Sequence, residues 1–345
     1  MISIRTEGEL KIVSITNANK MCLELLNLGA TITKLVVPTV KGAVDVALGL
    51  PSYEDYRVNS CFLGSVVGPL GNRTKNAIVK IDGVEYKLPV NENGNNLHTD
   101  FDGGLHKMLF DVVEDNDNRV SFVLDLKDGD LHLPGNRKVK ISYTLTDGNE
   151  IYISYRVLSD KNTLWNSTNH NYFNLNGHAS GDVLGHKLEL NCSRYTSVDD
   201  ECIPFGKLDS VENTPFDYYT KKRKFAPISD AINASENNQI AKVGGGIDHN
   251  YAVDGGPRTF RYVGTLVGDK TGINMEVYSD MPGVQIYTGN NLNDEKGKDG
   301  AIYSKYAGVC FETQYFPNCC NERKFMTPSV TAGDTFVSVT RYSFS

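Results

Sequence analysis

The sequence predicts an all-β protein, one large antiparallel β-sandwich or barrel occupying residues 1–345 as a single domain, and three observations predict it. Apolar residues recur at every second position in several segments, helical periodicity is scarce, and 32 glycines and 12 prolines divide the chain into short pieces. Many short alternating strands joined by glycine- and proline-bearing loops usually close into a sandwich or barrel, and a chain of this length can be one such unit.

The alternation is clearest at Val139, Ile141, Tyr143 and Leu145, followed after Asp147-Gly148-Asn149 by Ile151, Ile153, Tyr155 and Val157. That pattern is a hairpin with one buried face and a turn containing Asp-Gly. Shorter strand signals run over Val120–Leu126, Asn274–Tyr278 and Val337–Tyr342. Leu23–Val37 reads as strands interrupted at Gly29-Ala30 and stopped by Pro38. The one loose helical candidate is Ser229–Lys242, polar and rich in asparagine.

Composition excludes several classes of function. The net charge of -7 is spread without long single-sign runs, and the basic cluster Lys221-Lys222-Arg223-Lys224 is too short to form a nucleic-acid surface; it reads as a solvated loop. No uncharged apolar run reaches membrane-spanning length, and the first seven residues lack the apolar core of a signal peptide. Seven cysteines, odd in number and without a C-x-x-C pair, read as reduced thiols in a cytoplasmic protein. Neither a metal motif, a phosphate loop nor a dinucleotide fingerprint is present, so no cofactor is expected.

Chemistry concentrates at Asn169-His170-Asn171-Tyr172-Phe173-Asn174-Leu175-Asn176-Gly177, just after the only tryptophan, Trp165. Amides bond hydroxyls, aromatic rings cover the apolar face of a sugar, and histidine moves a proton near neutral pH. Other segments share this character. Asn72-Arg73 follows a glycine turn, His98 follows Asn95-Asn96-Leu97, Asp248 follows Gly244-Gly245-Gly246, Gln285 lies in a strand-like run, and Glu312 sits in a mostly apolar one where burial would raise its pKa. Taken alone, each also fits a plainer role. Arg73 could pair with an acid, Asp248 could cap a turn, Glu312 could face solvent from an edge strand, and His98 could be a loop histidine.

In this order the segments resemble the aldose 1-epimerase (galactose mutarotase) family, whose motifs look like G-R-x-x-N-R, N-x-L-H-G-G, N-H-x-Y-F-N-L, D-H-x-Y, P-G-x-Q-x-Y-T and L-E-T-Q. The resemblance runs from Gly29-Ala30 to the final strands, and the Asn169–Gly177 match is highly specific. It implies a β-sandwich of the galactose mutarotase type with a sugar cleft. Carried over, His170 matches the general acid and Glu312 the general base, while Asn72, Arg73, His98, Tyr172, Asp248 and Gln285 match sugar contacts. The chain departs from the family at Pro69-Leu70-Gly71, which replaces R-x-A before Asn72. It also departs after His98, where Thr99-Asp100-Phe101-Asp102 precedes the two glycines, at Phe110 in place of a frequent tryptophan, and at His132-Leu133-Pro134-Gly135-Asn136. Both proton-transfer positions are intact.

The implied reaction interconverts the α and β anomers of free aldohexoses such as glucose and galactose, by acid–base ring opening and reclosure. It needs no metal. A neighbouring carboxylate is expected to raise the histidine pKa, giving a bell-shaped pH dependence with a plateau over roughly pH 6 to 8, the alkaline limb from His170 and the acid limb from Glu312. The alternatives are a hexose-6-phosphate epimerase, for which the motifs supply Arg73 as their only arginine or lysine, and a non-catalytic sugar-binding protein, which would not need both an acid and a base. Glycosidases normally use two carboxylates instead. The expected partner is the free sugar, with no nucleic acid or membrane, and the expected state is a monomer or weak homodimer.

Overall fold

The computed structural model describes residues 1–221, 225–234 and 236–345. Two antiparallel sheets dominate. A nine-stranded sheet runs from Asp111–Asn116 at one edge, through the hairpin Arg137–Leu145/Glu150–Ser159 and the strand Thr335–Phe344, to Ala226–Pro227 at the other. A six-stranded sheet has the spatial order Tyr172–Phe173, Val309–Gln314, Gly283–Tyr287, Asp248–Ala252, Arg194–Tyr195, Asp209–Ser210. A separate five-stranded sheet built from Ile2–Glu7 to Gly42–Asp45 covers one flank.

The hairpin forms as its alternation requires. Ile141 lies opposite Tyr155 and Tyr143 opposite Ile153, and these four side chains are buried together. Asn149 closes the turn at φ 58°, a left-handed conformation that asparagine tolerates well. The two large sheets meet face to face. Phe173 packs against Tyr342 with ring centroids 5.2 Å apart and planes tilted by 48°, and the Tyr342 hydroxyl donates to the Phe311 carbonyl at 3.0 Å. Phe311 is fully covered there, so truncating it to alanine would cost about 3–5 kcal/mol.

Two strand and helix expectations need correcting. Pro38 does not stop its strand, which continues as Thr31–Thr39 and pairs Pro38 with Ala43. Pairing with the strand on the other side ends at Val36, so Pro38 has a ladder neighbour on one side alone and its missing N–H is tolerated. Ser229–Lys242 is not one helix but two single turns, Ser229–Ile232 and Asn238–Lys242. Asn237 restarts the second, its side chain accepting the Gln239 N–H at 2.9 Å. Of the basic cluster, residues 222–224 lie outside the described residues, as does Ser235. At the Gly29-Ala30 break, a Cβ on Gly29 would sit 2.8 Å from the His106 carbonyl oxygen, so that turn demands glycine. Among the described residues no helix is long and apolar enough to cross a membrane.

The fold buries several histidines in neutral form. Burial pushes His106, His170 and His186 down to about 4 and His249 to about 3, and it lowers His98 as well. The unfolded chain takes up these protons near ~6.5, so below that pH it binds more protons than the folded one and is favoured. Glu312 and Asp248, raised by burial, pull the other way, but the five histidines outnumber them, so the melting temperature should fall steeply as pH drops from 6.5 toward 4. A melting temperature unchanged between pH 7 and pH 5 would contradict this.

Candidate active site

The six-stranded sheet carries one polar face and one apolar face, and strand pairing fixes which residues share each. Glu312 lies directly opposite Gln285, and Gln285 opposite Asn250. One row along, Asp248 faces Tyr287, Tyr287 faces Cys310, and Cys310 faces Tyr172. Since side chains alternate along a strand, Glu312, Gln285, Asp248, Tyr287, Cys310 and Tyr172 all project from one side. Phe311, Ile286, Val284 and Phe173 project from the other, into the core.

Two loops complete the site opposite this face. Asn72 adopts φ 61° and His98 φ 54°. They are tied together twice: the Asn72 N–H donates to His98 Nδ1 at 3.1 Å, and the His98 N–H donates to the Asn72 carbonyl at 3.1 Å. The departures from the family pattern on these two loops meet one another. Thr99 Oγ1 accepts the Leu70 N–H at 2.8 Å and donates to the Leu70 carbonyl at 3.1 Å. Thr99 itself sits at φ 72°, unfavourable for a β-branched residue, and these bonds help hold it there. A Cβ on Gly71 would lie 2.9 Å from the Asn166 carbonyl oxygen, which accounts for glycine before Asn72.

His170 enters from the short strand Thr168–Asn169. Its N–H donates to the Ser65 carbonyl at 2.8 Å, and its Nε2 lies 3.7 Å from Glu312 Oε1. On the other side of the ring, Nδ1 lies 3.7 Å from Cys310 Sγ. Two of the surrounding asparagines serve the backbone. Asn169 Nδ2 donates to the Gly64 carbonyl at 2.8 Å, and Asn174 Nδ2 donates to the carbonyls of Gly181 and Ala307 at 2.9 and 3.0 Å. Sequence reasoning gave these amides to sugar hydroxyls; the two are instead used to hold the loop that presents His170 and Tyr172.

These elements enclose a cavity of about 330 Å³, lined by Asn72, Arg73, His98, His170, Tyr172, Asp248 and Glu312, with Phe62, Glu92 and Tyr287 among the other walls. Small-molecule pockets run from roughly 300 to 1,000 Å³, so this one suits a single ring. Seven of the eight residues singled out from sequence therefore line one cavity. Gln285 is set beneath them: it is buried, and its Nε2 donates to Asp248 Oδ1 at 2.7 Å. Sequence reasoning missed Phe62, whose ring centroid is 4.9 Å from that of His98 and 5.8 Å from that of His170. It also missed Glu92, and no local pattern marks either. Tyr287 was findable, because it stands two positions from Gln285 on the same strand face.

Arg73 does pair with acids, but inside the cavity. Its Nε and Nη2 donate to the two Glu92 carboxylate oxygens at 2.6 and 2.9 Å, and Nη1 lies 3.6 Å from Asp248 Oδ2. Burial opposes the guanidinium charge, yet Asp248 and Glu92 outweigh it and raise the Arg73 pKa. Glu312 does not face solvent; only 2% of it is exposed. Burial, reinforced by Asp248, pushes its carboxyl well above the usual range, against a smaller opposing pull from Arg73. Asp248 is also raised by burial, with Arg73 opposing. Burial lowers His170 to about 4, so the expectation that a carboxylate would raise it is overturned: desolvation of the imidazolium prevails. Burial thus favours the neutral form of both groups, the protonated Glu312 carboxyl and the uncharged His170 ring.

Ligating atoms of His98, His170 and Glu312 lie within 4.8 Å of one another, a spacing that could gather a cation. The Asn72 N–H occupies the His98 Nδ1 lone pair, which puts the neutral ring's proton on Nε2. Neither His98 nitrogen then has a free lone pair, and the cluster fits proton transfer better than metal binding.

An antiparallel sandwich with a buried acid–base pair in a cavity the size of one ring defines a carbohydrate-directed enzyme class, and the comparisons name it. Residues 11–343 match the aldose 1-epimerase family, and the chain belongs to that enzyme family. Galactose mutarotase from Homo sapiens is 34% identical over 325 residues, covering 94% of this chain and 91% of that protein. Aldose 1-epimerase from Escherichia coli K12 is 31% identical over 337 residues, covering 97% and 95%. Among solved structures, the GalM/aldose epimerase homologue from C. elegans superposes with a TM-score of 0.88 at 27% identity, covering 97% of this chain and 98% of that one. Galactose 1-epimerase from Lactobacillus acidophilus gives 0.84 at 26% identity, covering 100% and 98%.

The contact between the two departing loops has a measurable consequence. Thr99→Val keeps the side-chain shape but strips both bonds to Leu70, leaving a buried N–H and carbonyl unpaired at about 1–3 kcal/mol. Its melting temperature should fall, and the Michaelis constant for sugar should rise as His98 loses its support. Parent-like values of both would show that the Thr99–Leu70 contact does not hold the loop.

Proposed function

We propose that this chain interconverts the α and β anomers of free aldohexoses such as glucose and galactose, with Glu312 and His170 as the two proton carriers. The observation that carries this reading is the pair itself: a carboxyl and an imidazole 3.7 Å apart, both buried, on the wall of a cavity the size of one ring. That gap is too long for a direct hydrogen bond. It leaves both groups free to reach the hydroxyl and ring oxygens on one anomeric carbon.

Ring opening moves two protons. Ionised Glu312 takes the proton of the carbon-1 hydroxyl, whose electrons form the carbonyl as the bond from carbon 1 to the ring oxygen breaks. Protonated His170 gives its proton to that ring oxygen. Rotation about the carbon 1–carbon 2 bond exposes the other aldehyde face, and reclosure returns both protons. Opening therefore starts from the proton on His170 and ends with it on Glu312, and the second arrangement is the resting state of the free protein. Sugar binding has to favour the first: the hydroxyl donating to Glu312 and the ring oxygen accepting from His170 both do so. Arg73, Asn72, His98, Asp248 and Tyr172 hold the remaining hydroxyls in this reading, and Gln285 holds Asp248 from beneath. The match over residues 11–343 supports a single domain, and the active unit in this reading is a monomer or weak homodimer. Cysteines that are all unpaired support a reducing, cytoplasmic setting.

Both tautomers of the pair carry one proton, so the pH profile reports the pair and not its internal arrangement. In the free protein a second proton is taken up at His170 at about 4, and the single proton leaves Glu312 well above the ordinary carboxylate range. The limbs are thus assigned in the reverse of the sequence expectation. Turnover over Michaelis constant should be bell-shaped, with the alkaline limb moved or abolished in Glu312→Gln; the acid limb overlaps unfolding and is the weaker test. A profile flat from acid to alkali, after subtracting the uncatalysed rate, would sink the pair.

Polarimetry of freshly dissolved α-glucose or α-galactose tests the reaction. Glu312→Gln and His170→Asn should each lower turnover by roughly two to four orders of magnitude, with much smaller changes in sugar affinity. The parent's activity should persist in a metal chelator. Near-parent turnover in either variant, or activity lost in chelator and restored by zinc, would overturn this mechanism.

A further inference from the structure

Arg73 is the only lysine or arginine among the described residues that line the cavity, and two acids already engage it. Glu92 takes the Nε–Nη2 edge of the guanidinium with both carboxylate oxygens, and Asp248 lies against Nη1. Nothing else in the cavity offers positive charge in the resting protein, because burial keeps His98 and His170 neutral. Glu92 reaches the site from the turn it forms with Asn95, whose N–H donates to the Glu92 carbonyl at 2.7 Å. It belongs neither to the strand that bears Glu312 nor to the segment that carries His170.

Resting on the reading above, we infer that Glu92 is a specificity-determining residue that restricts the cleft to uncharged sugars. Its carboxylate does so in two ways. It neutralises the one cation that an anionic sugar could use, and with that cation engaged the neighbouring Asp248 carboxyl has no free counter-charge in the cavity. Such charges repel a hexuronate or a sugar phosphate both in place, where screening is weak, and on its approach through solvent, where dissolved salt weakens the effect. The same bidentate pair also orients Arg73: with the Nε–Nη2 edge occupied, the Nη1–Nη2 end is what remains for neutral hydroxyls.

The test compares α-galactose with α-galacturonate, which has the same ring with a carboxylate on carbon 6, by polarimetry near neutral pH. Parent protein should favour galactose strongly. Glu92→Gln should lower turnover over Michaelis constant a few-fold for galactose, through looser Arg73 orientation, and raise it for galacturonate, so that the ratio of the two shifts by roughly tenfold or more. Glu92→Asp, which keeps the charge, should retain most of the discrimination, and added salt should weaken the parent's discrimination. Melting curves identify a variant that fails to fold, and Glu92→Asp then carries the comparison with the parent across the salt series. Parent protein that handles both sugars alike, or a ratio unchanged in Glu92→Gln and insensitive to salt, overturns the role of Glu92. Parent protein that does not speed α-galactose mutarotation overturns the functional reading beneath it.

Discussion

The pairing of Gln285 with Glu312 across two central strands of the six-stranded sheet is the constraint on which the cleft depends. Side chains alternate along a strand, so a slip of one residue would turn Glu312 into the core and bring Phe311 or Thr313 to the cavity. The opposite face prevents the slip. Phe311 and Phe173 are packed against the nine-stranded sheet, where Tyr342 also bonds the Phe311 carbonyl. Gly283 lets the neighbouring strand come close, since a Cβ there would lie 2.6 Å from Asn250 Oδ1 and 2.8 Å from the Phe316 ring. Apolar packing on one side of the sheet thus positions acid–base chemistry on the other.

The same burial that fixes position sets protonation. Glu312 and His170 are each more than nine-tenths covered, and removing water disfavours the charged form of both. The carboxyl rises, the imidazole falls, and a single proton is left to move between them. A surface pair would be ionised, salt-bridged and poorly matched to a reaction that exchanges one proton for another. Polar atoms such as Gln285 Oε1 and Glu312 Oε2 have no protein hydrogen-bond partner, a local cost of the kind found where a site overrides the preferences of a core.

Much of this was legible in the chain. Alternation gave the hairpin at Ile141 and Tyr155, and motif order brought Arg73, His98, His170, Asp248 and Glu312 to one cavity although more than 200 positions separate the first from the last. What escaped was set by contacts distant in sequence. Glu92 and Phe62 carry no local signal because their role comes from the loops folding over the sheet. Asn169 and Asn174 carried a misleading one: amides beside a histidine look like hydroxyl contacts, but the backbone carbonyls of Gly64 and Ala307, on neighbouring segments, claim them. Pro38 looked like a strand stop because the pattern does not say which side of the strand lacks a neighbour. The sign of the His170 shift was missed because the sequence names the nearby carboxylate and is silent on how completely water is removed.

The central claim is that the free protein keeps one proton on the pair, carried by Glu312. Infrared difference spectroscopy of the parent against Glu312→Gln at neutral pH reads this directly. The account predicts a protonated-carboxyl band in the sugar-free parent that is missing from the variant and weakens when sugar saturates the cleft. Only an ionised-carboxylate difference at neutral pH, unaffected by sugar, would contradict it.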